Sequence, residues 1–158
     1  MCAAEALERL ARCERPRVVV EDGGLSRLGQ LCGEFSASRV LLVSDPGLMA
    51  AGHTPVAEKA LREAGLGVSG FSGFGSNPTE SQVQACAQAA RDAGADLLVA
   101  VGGGSAIDTA KGAAFLLAGG GQMEDYWGRG KGQGEFLPFV AVPTTAGTGS
   151  EVGRGAVI

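Results

Sequence analysis

Residues 97–117 read LLVAVGGGSAIDTAKGAAFLL. From Leu97 to Val101 every residue is apolar, which marks a strand with neither face in water. Gly102-Gly103-Gly104 stops that run, and a second apolar pattern opens at Ser105. Strand, side-chain-free turn and helix in direct succession are the start of a βαβ unit. Glycine in such a turn permits positive φ and lets a ligand approach the backbone. The helix that follows presents free N–H groups and a partial positive charge, both suited to a phosphate. From the residues alone two readings stay open: a pyrophosphate seat with the Ser105 hydroxyl as a further donor, or a tight turn with no ligand.

The same alternation extends outward. Residues 17–21 (RVVVE) read as a strand, and 24–35 as a helix with Leu25, Leu28, Leu31, Cys32 and Phe35 on one face. Residues 39–45 form a buried strand, 54–65 a helix stopped by Gly65, and 66–71 a weaker strand. A helix over 77–94 has Asn77 or Thr79 as its cap and Val83, Cys86, Ala87 and Ala90 on its apolar face. Strand 95–102, helix 105–118 and a strand within 136–143 complete the series, and a short helix is expected within 3–16. The pattern predicts one doubly wound α/β domain with a mostly parallel sheet covered on both faces, the first strand or two being free to pair differently. Glycine-rich 119–136 is expected to be a surface loop, with Tyr126 and Trp127 either at the edge of the cleft or anchoring the loop.

Composition narrows the classes of function. The chain has 158 residues, 45% of them apolar and 19% charged, with a net charge of -4. That suits one domain with a real core and argues against a nucleic-acid partner, which favours a basic stripe. No run approaches the ~20 apolar residues that span a bilayer, and the acidic start lacks the apolar core of a signal peptide. Cys2, Cys13, Cys32 and Cys86 form no C-x-x-C pair, so free thiols in a reducing cytoplasm are expected. Known glycine motifs fail on inspection. G-x-G-x-x-G needs glycine where Ile107 stands, Gly130-Lys131 is followed by Gly132 instead of a hydroxyl, and neither Ser105 nor Ser150 lies in G-x-S-x-G.

A second stretch, PTTAGTGSE (143–151), repeats the logic of the first. A strand ends at Pro143, and then Thr144, Thr145, Thr148 and Ser150 offer hydroxyls to phosphate, ribose or carboxamide, or simply build a surface turn. Asp45 closes the 39–45 strand. There a carboxylate accepts from ribose hydroxyls and repels a 2′-phosphate, or caps the turn before Pro46. Asp108 and Lys111, one turn apart, read as a surface ion pair, with Lys111 near a phosphate as the alternative. His53 reads as a loop or cap residue rather than a ligand.

VGGGSAIDTAK followed by PTTAGTGSEV resembles the iron-containing (group III) alcohol dehydrogenases, which share a superfamily with glycerol dehydrogenase and dehydroquinate synthase. SDPGL, NPT and LLVAVGGGS stand in the order of that family's N-terminal half, and the likeness runs from about Arg17 to Ile158. It implies a Rossmann-like, dehydroquinate synthase-like domain holding NAD, with NADP as the alternative. By motif, Asp45 would meet the adenosine ribose and Asn77 the adenine side. Gly102, Gly103, Gly104 and Ser105 would hold the pyrophosphate. Thr144, Thr145 and Thr148 would flank the phosphate and nicotinamide, and Val157 would pack by the ribose or ring. The family also implies Fe(II) or another divalent metal that polarises a small alcohol or aldehyde substrate.

One departure stands out. The family binds its metal through one Asp and three His in a helical C-terminal domain, and this chain has a single histidine and stops where that domain would begin. No catalytic or metal-ligating residue is therefore expected within 1–158. Three readings follow: the cofactor half of a dehydrogenase, a stand-alone nucleotide-binding module, or an inactive remnant that needs a partner. The partner would be a second copy, as in the family's dimers, or a separate C-terminal half.

Overall fold

Four parallel strands lie at the centre of the computed structural model, which describes residues 16–128 and 130–158. They are β1 (Arg39–Ser44), β2 (Gly67–Phe71), β3 (Leu97–Gly102) and β4 (Phe139–Pro143), in the order β2-β1-β3-β4. Leu41 stands opposite Leu98, and Leu98 opposite Phe139. From β1 the chain winds outward to β2 on one side and to β3 and β4 on the other. The doubly wound parallel sheet expected from the alternating pattern is present.

Among the described residues five α-helices accompany the strands: α1 (Leu28–Cys32), α2 (Pro46–Ala50), α3 (His53–Glu63), α4 (Glu80–Ala93) and α5 (Gly104–Gly119). Strand periodicity distributes them over the two faces. Leu41, Val43, Leu98 and Ala100 pack with Val83, Cys86, Ile107 and Ala110 of α4 and α5. Val40, Leu42, Leu97, Val99 and Val101 pack with Leu28, Cys32, Ala57 and Leu61 of α1 and α3. All six residues of β3 are buried, because strands flank it and helices cover both its faces.

Two expectations are corrected. Residues 17–21 form no strand. Val18, Val19 and Val20 are 67%, 44% and 91% exposed, and this β-prone run joins no ladder. The helix expected over 24–35 is broken into a 3-10 turn at Gly24–Arg27, α1, and another 3-10 turn at Gly33–Phe35. Glycines at 24, 29 and 33 weaken a continuous helix. Gly29 has a positive reason to be there: a Cβ at this position would stand 2.1 Å from the Ala60 carbonyl oxygen, so α1 and α3 approach this closely only over glycine. The helix expected within 3–16 lies, except for Pro16, outside the described residues.

Candidate functional site

β1 and β3 are neighbours, and the chain leaves them in opposite directions across the sheet. Their carboxyl ends therefore bound a topological switch point, where open α/β sheets bind ligands. Asp45 follows β1 and Gly102 ends β3. Asp45 caps α2, its Oδ1 accepting from Leu48 N at 3.0 Å. Its Oδ2 faces the other way, 3.6 Å from where a Cβ on Gly102 would be. The capping reading of Asp45 is thus met by one oxygen, while the other is turned toward the glycine turn.

The glycines prove to be there for space rather than for positive φ. None of Gly102, Gly103 and Gly104 has a positive φ, and Gly103 is extended at φ -75°, ψ -171°. A Cβ on Gly102 would come within 2.5 Å of Ala106 Cβ. One on Gly103 would stand 3.1 Å from Thr145 Oγ1, and one on Gly104 3.2 Å from Ser150 Oγ and 3.5 Å from Thr148 Cβ. The second loop therefore lies directly against the first. It is tied down where β4 ends, Thr144 N donating to Gly102 O at 3.0 Å.

The sequence-predicted residues are distributed as follows. Gly102, Gly103, Gly104, Asp45, Thr144, Thr145 and Thr148 come together at this end of the sheet. Ser105, at the start of α5, donates its hydroxyl to Ser76 O, which draws the 76–79 segment, and Asn77 with it, toward the same helix start. Asn77 is exposed. Val157 is 80% exposed. His53 is the first residue of α3. Tyr126 and Trp127 are at the other end of the molecule. The Tyr126 ring packs on Phe115 with centroids 5.4 Å apart and its hydroxyl donates to Gly120 O, past the C-terminus of α5. A helix of this length separates them from the glycine turn by about 24 Å, so neither edges the cleft: Tyr126 anchors the loop, and Trp127 is 69% exposed.

Asp108 and Lys111 are a further correction. Neither is on the surface, their exposures being 6% and 9%. Asp108 Oδ2 accepts from Ser150 Oγ at 3.3 Å. Lys111 Nζ donates to the carbonyls of Ser150, Gly153 and Gly155. Burial lowers the Lys111 pKa, and the Asp108 and Glu151 carboxylates oppose that shift. A readable signal existed for this. From Ala106 to Leu117 α5 is apolar on every side, and such a helix is covered all round, so its few polar residues must find partners inside.

Elsewhere the polar groups serve structure. Cys32 and Cys86 are free and buried, their thiol pKa values raised by burial to about 11 and about 12. Cys2 and Cys13 lie outside the described residues. A shallow groove along Pro55, Glu58, Lys59, Arg62 and Glu63 of α3 is lined by ordinary i,i+4 ion pairs. Among the described residues no group of three or more His, Cys, Asp and Glu is placed to hold a metal ion, and no helix is long and apolar enough to cross a membrane.

The likeness to known proteins is extensive. The family described as iron-containing alcohol dehydrogenase matches residues 15–158. The chain is 46% identical over 140 residues to a 4-hydroxybutyrate dehydrogenase of Cupriavidus necator, covering 86% of this chain and 36% of that protein. It is 36% identical over 143 residues to an NAD-dependent methanol dehydrogenase of Bacillus methanolicus, covering 90% and 38%. Among solved structures, a 1,3-propanediol oxidoreductase superposes with a TM-score of 0.80 at 36% identity, over 84% of this chain and 35% of that one. A sulfoacetaldehyde reductase from Bifidobacterium kashiwanohense in complex with NAD+ superposes with a TM-score of 0.73 at 34% identity, over 82% and 34%. The chain thus spans little more than a third of the length of these relatives. With the glycine turn, the threonine loop against it and the match along nearly its whole length, the chain belongs to the iron-containing alcohol dehydrogenase family.

Proposed function

We propose that this chain is the N-terminal, NAD(P)-binding part of a metal-dependent alcohol dehydrogenase, which oxidises a small alcohol to an aldehyde or ketone by hydride transfer. The observation that carries this reading is the meeting of the two loops at the switch point: Thr145 and Thr148 stand directly over Gly103 and Gly104. A cradle that any Cβ would fill, at the N-terminus of α5, fits a pyrophosphate. The Gly104 and Ser105 amides would meet its oxygens, and Thr144, Thr145 and Thr148 would flank the phosphate and nicotinamide. Asp45 Oδ2 would accept from the adenosine ribose and, as a negative charge, disfavour a 2′-phosphate. Asn77 would stand on the adenine side and Val157 by the ribose or ring. A bound nicotinamide supplies a hydride acceptor, and the residues of this chain bind and orient it.

The described residues do not fit the family's metal. The chain's one histidine begins α3, so an iron site of one Asp and three His needs residues beyond these. They would come from a helical C-terminal half, and a homodimer through the N-terminal segment is the other partner this reading allows. The buried free thiols suit a reducing cytoplasm. Calorimetric titration with NAD+ and NADP+ tests the proposal. Saturable binding is expected for NAD+, at least tenfold tighter than for NADP+. Saturation by neither would sink the reading, and a preference for NADP+ would remove Asp45 from it.

A further inference from the structure

Lys111 lies two turns into α5, and its ammonium is engaged by the backbone of a single loop. An ammonium has three N–H donors, and here they go to Ser150 O, Gly153 O and, at 3.3 Å, Gly155 O. None is left over for a phosphate. All three acceptors lie in one loop. The loop's own backbone bonds, Val152 N and Gly153 N onto Gly149 O, fix its local shape but not its place on the helix. Asp108, one turn back on α5, takes the Ser150 hydroxyl. Glu151 adds a second carboxylate, whose Oε2 is buried without a hydrogen-bond partner among the described residues.

We propose that Lys111 is a positioning residue for the cofactor seat: its ammonium pins residues 150–155 to α5 and so holds Thr145, Thr148 and Ser150 over Gly103 and Gly104. The pinning stands on the geometry alone, and its effect on cofactor affinity rests on the dinucleotide reading above. The residue type follows from the acceptors. Three carbonyl oxygens converging on one buried point need donors that also converge, and each one left bare costs free energy. A methionine fills the same space with no donor. An arginine keeps the charge, but its planar fork spreads its donors outward.

The experiment compares the parent chain with Lys111→Met and Lys111→Arg, and uses Leu61→Ala, in the core on the opposite face of the sheet, as a control for lost stability. Trypsin cleavage after Arg154, within the pinned loop, is followed by mass spectrometry without cofactor. NADH binding is followed by fluorescence titration. Lys111→Met is expected to speed cleavage at least tenfold and to raise the NADH dissociation constant at least tenfold, and Leu61→Ala to do neither. Lys111→Arg is expected to shift both at least threefold, and it decides the matter if Lys111→Met does not fold. Values within twofold of the parent in the folded variant would overturn the proposal, as would equal changes in Leu61→Ala. A parent chain that fails to bind NADH overturns the dinucleotide reading instead, and the cleavage rates then decide the pinning.

Discussion

Gly102 sits where β3 turns into α5, with Ala106 packed one turn above it. Gly102→Ala puts two methyl carbons 2.5 Å apart unless backbone moves, and overpacking of this kind costs about 1–3 kcal/mol. Urea unfolding checks this, and an unchanged midpoint would show that the turn has slack. Asp45 has two tasks, one per oxygen. Asp45→Ala is expected to lose an N-cap, about 0.5–2 kcal/mol, and to narrow the preference for NAD+ over NADP+ at least tenfold. Stability and relative affinity can be measured on the same preparation. At this scale the candidate residues were legible as types: glycines, threonines and an aspartate at strand ends. Their reason was less legible. The glycines suggest positive φ from sequence, but their contacts come from a loop forty residues away, which no local pattern reveals. Lys111 and Asp108 were misread for the same reason, since i,i+3 spacing describes a helix surface only when the helix has one.

Among the elements, α4 illustrates a device that local sequence carries well. Gln82 Oε1 accepts from Thr79 N at 3.1 Å and from Gly75 N at 3.4 Å, closing the segment that bears Ser76 and Asn77. Gln82→Ala is expected to cost about 1 kcal/mol, read as a lower midpoint in thermal unfolding. Asp96 does similar work across the sheet. Its carboxylate accepts from Ser38 N, Ser38 Oγ and Arg39 N at 2.7–3.0 Å, binding the start of β1 to the start of β3. Burial pushes its pKa up, but these hydrogen bonds outweigh burial and hold it below the usual aspartate value. A lowered folded pKa means stability that is present above the unfolded value, about 3.9, and lost as pH falls through the folded one. Asp96→Asn should therefore be less stable than the parent at pH 7 and should show a shallower loss of stability below about pH 4. An identical acid limb in the two proteins would remove this role. The strands and long helices were legible because their periodicity reports their burial. Residues 17–21 were not, because three valines in a row describe a strand only if another strand accepts them.

At the scale of the whole molecule, one sheet separates two cores, and Leu98 stands in the middle of the first with Leu41 and Phe139 as its cross-strand neighbours. Leu98→Ala is expected to lower unfolding free energy by about 2–5 kcal/mol while the folded fraction binds NAD+ as the parent does. Weaker binding at temperatures where the variant is fully folded would mean that the sheet and the glycine turn are coupled.

The strand order β2-β1-β3-β4 also has a consequence for synthesis. β3 receives β1 on one edge as soon as it emerges from the ribosome, but β4 comes only after the long glycine-rich excursion. At roughly 5–20 residues per second that interval lasts seconds. Throughout it the nascent chain carries its most apolar strand with one edge open, the condition in which strands seek other chains. A pause or truncation between Gly102 and Phe139 would therefore release an aggregation-prone intermediate, and the arrival of β4 closes that edge.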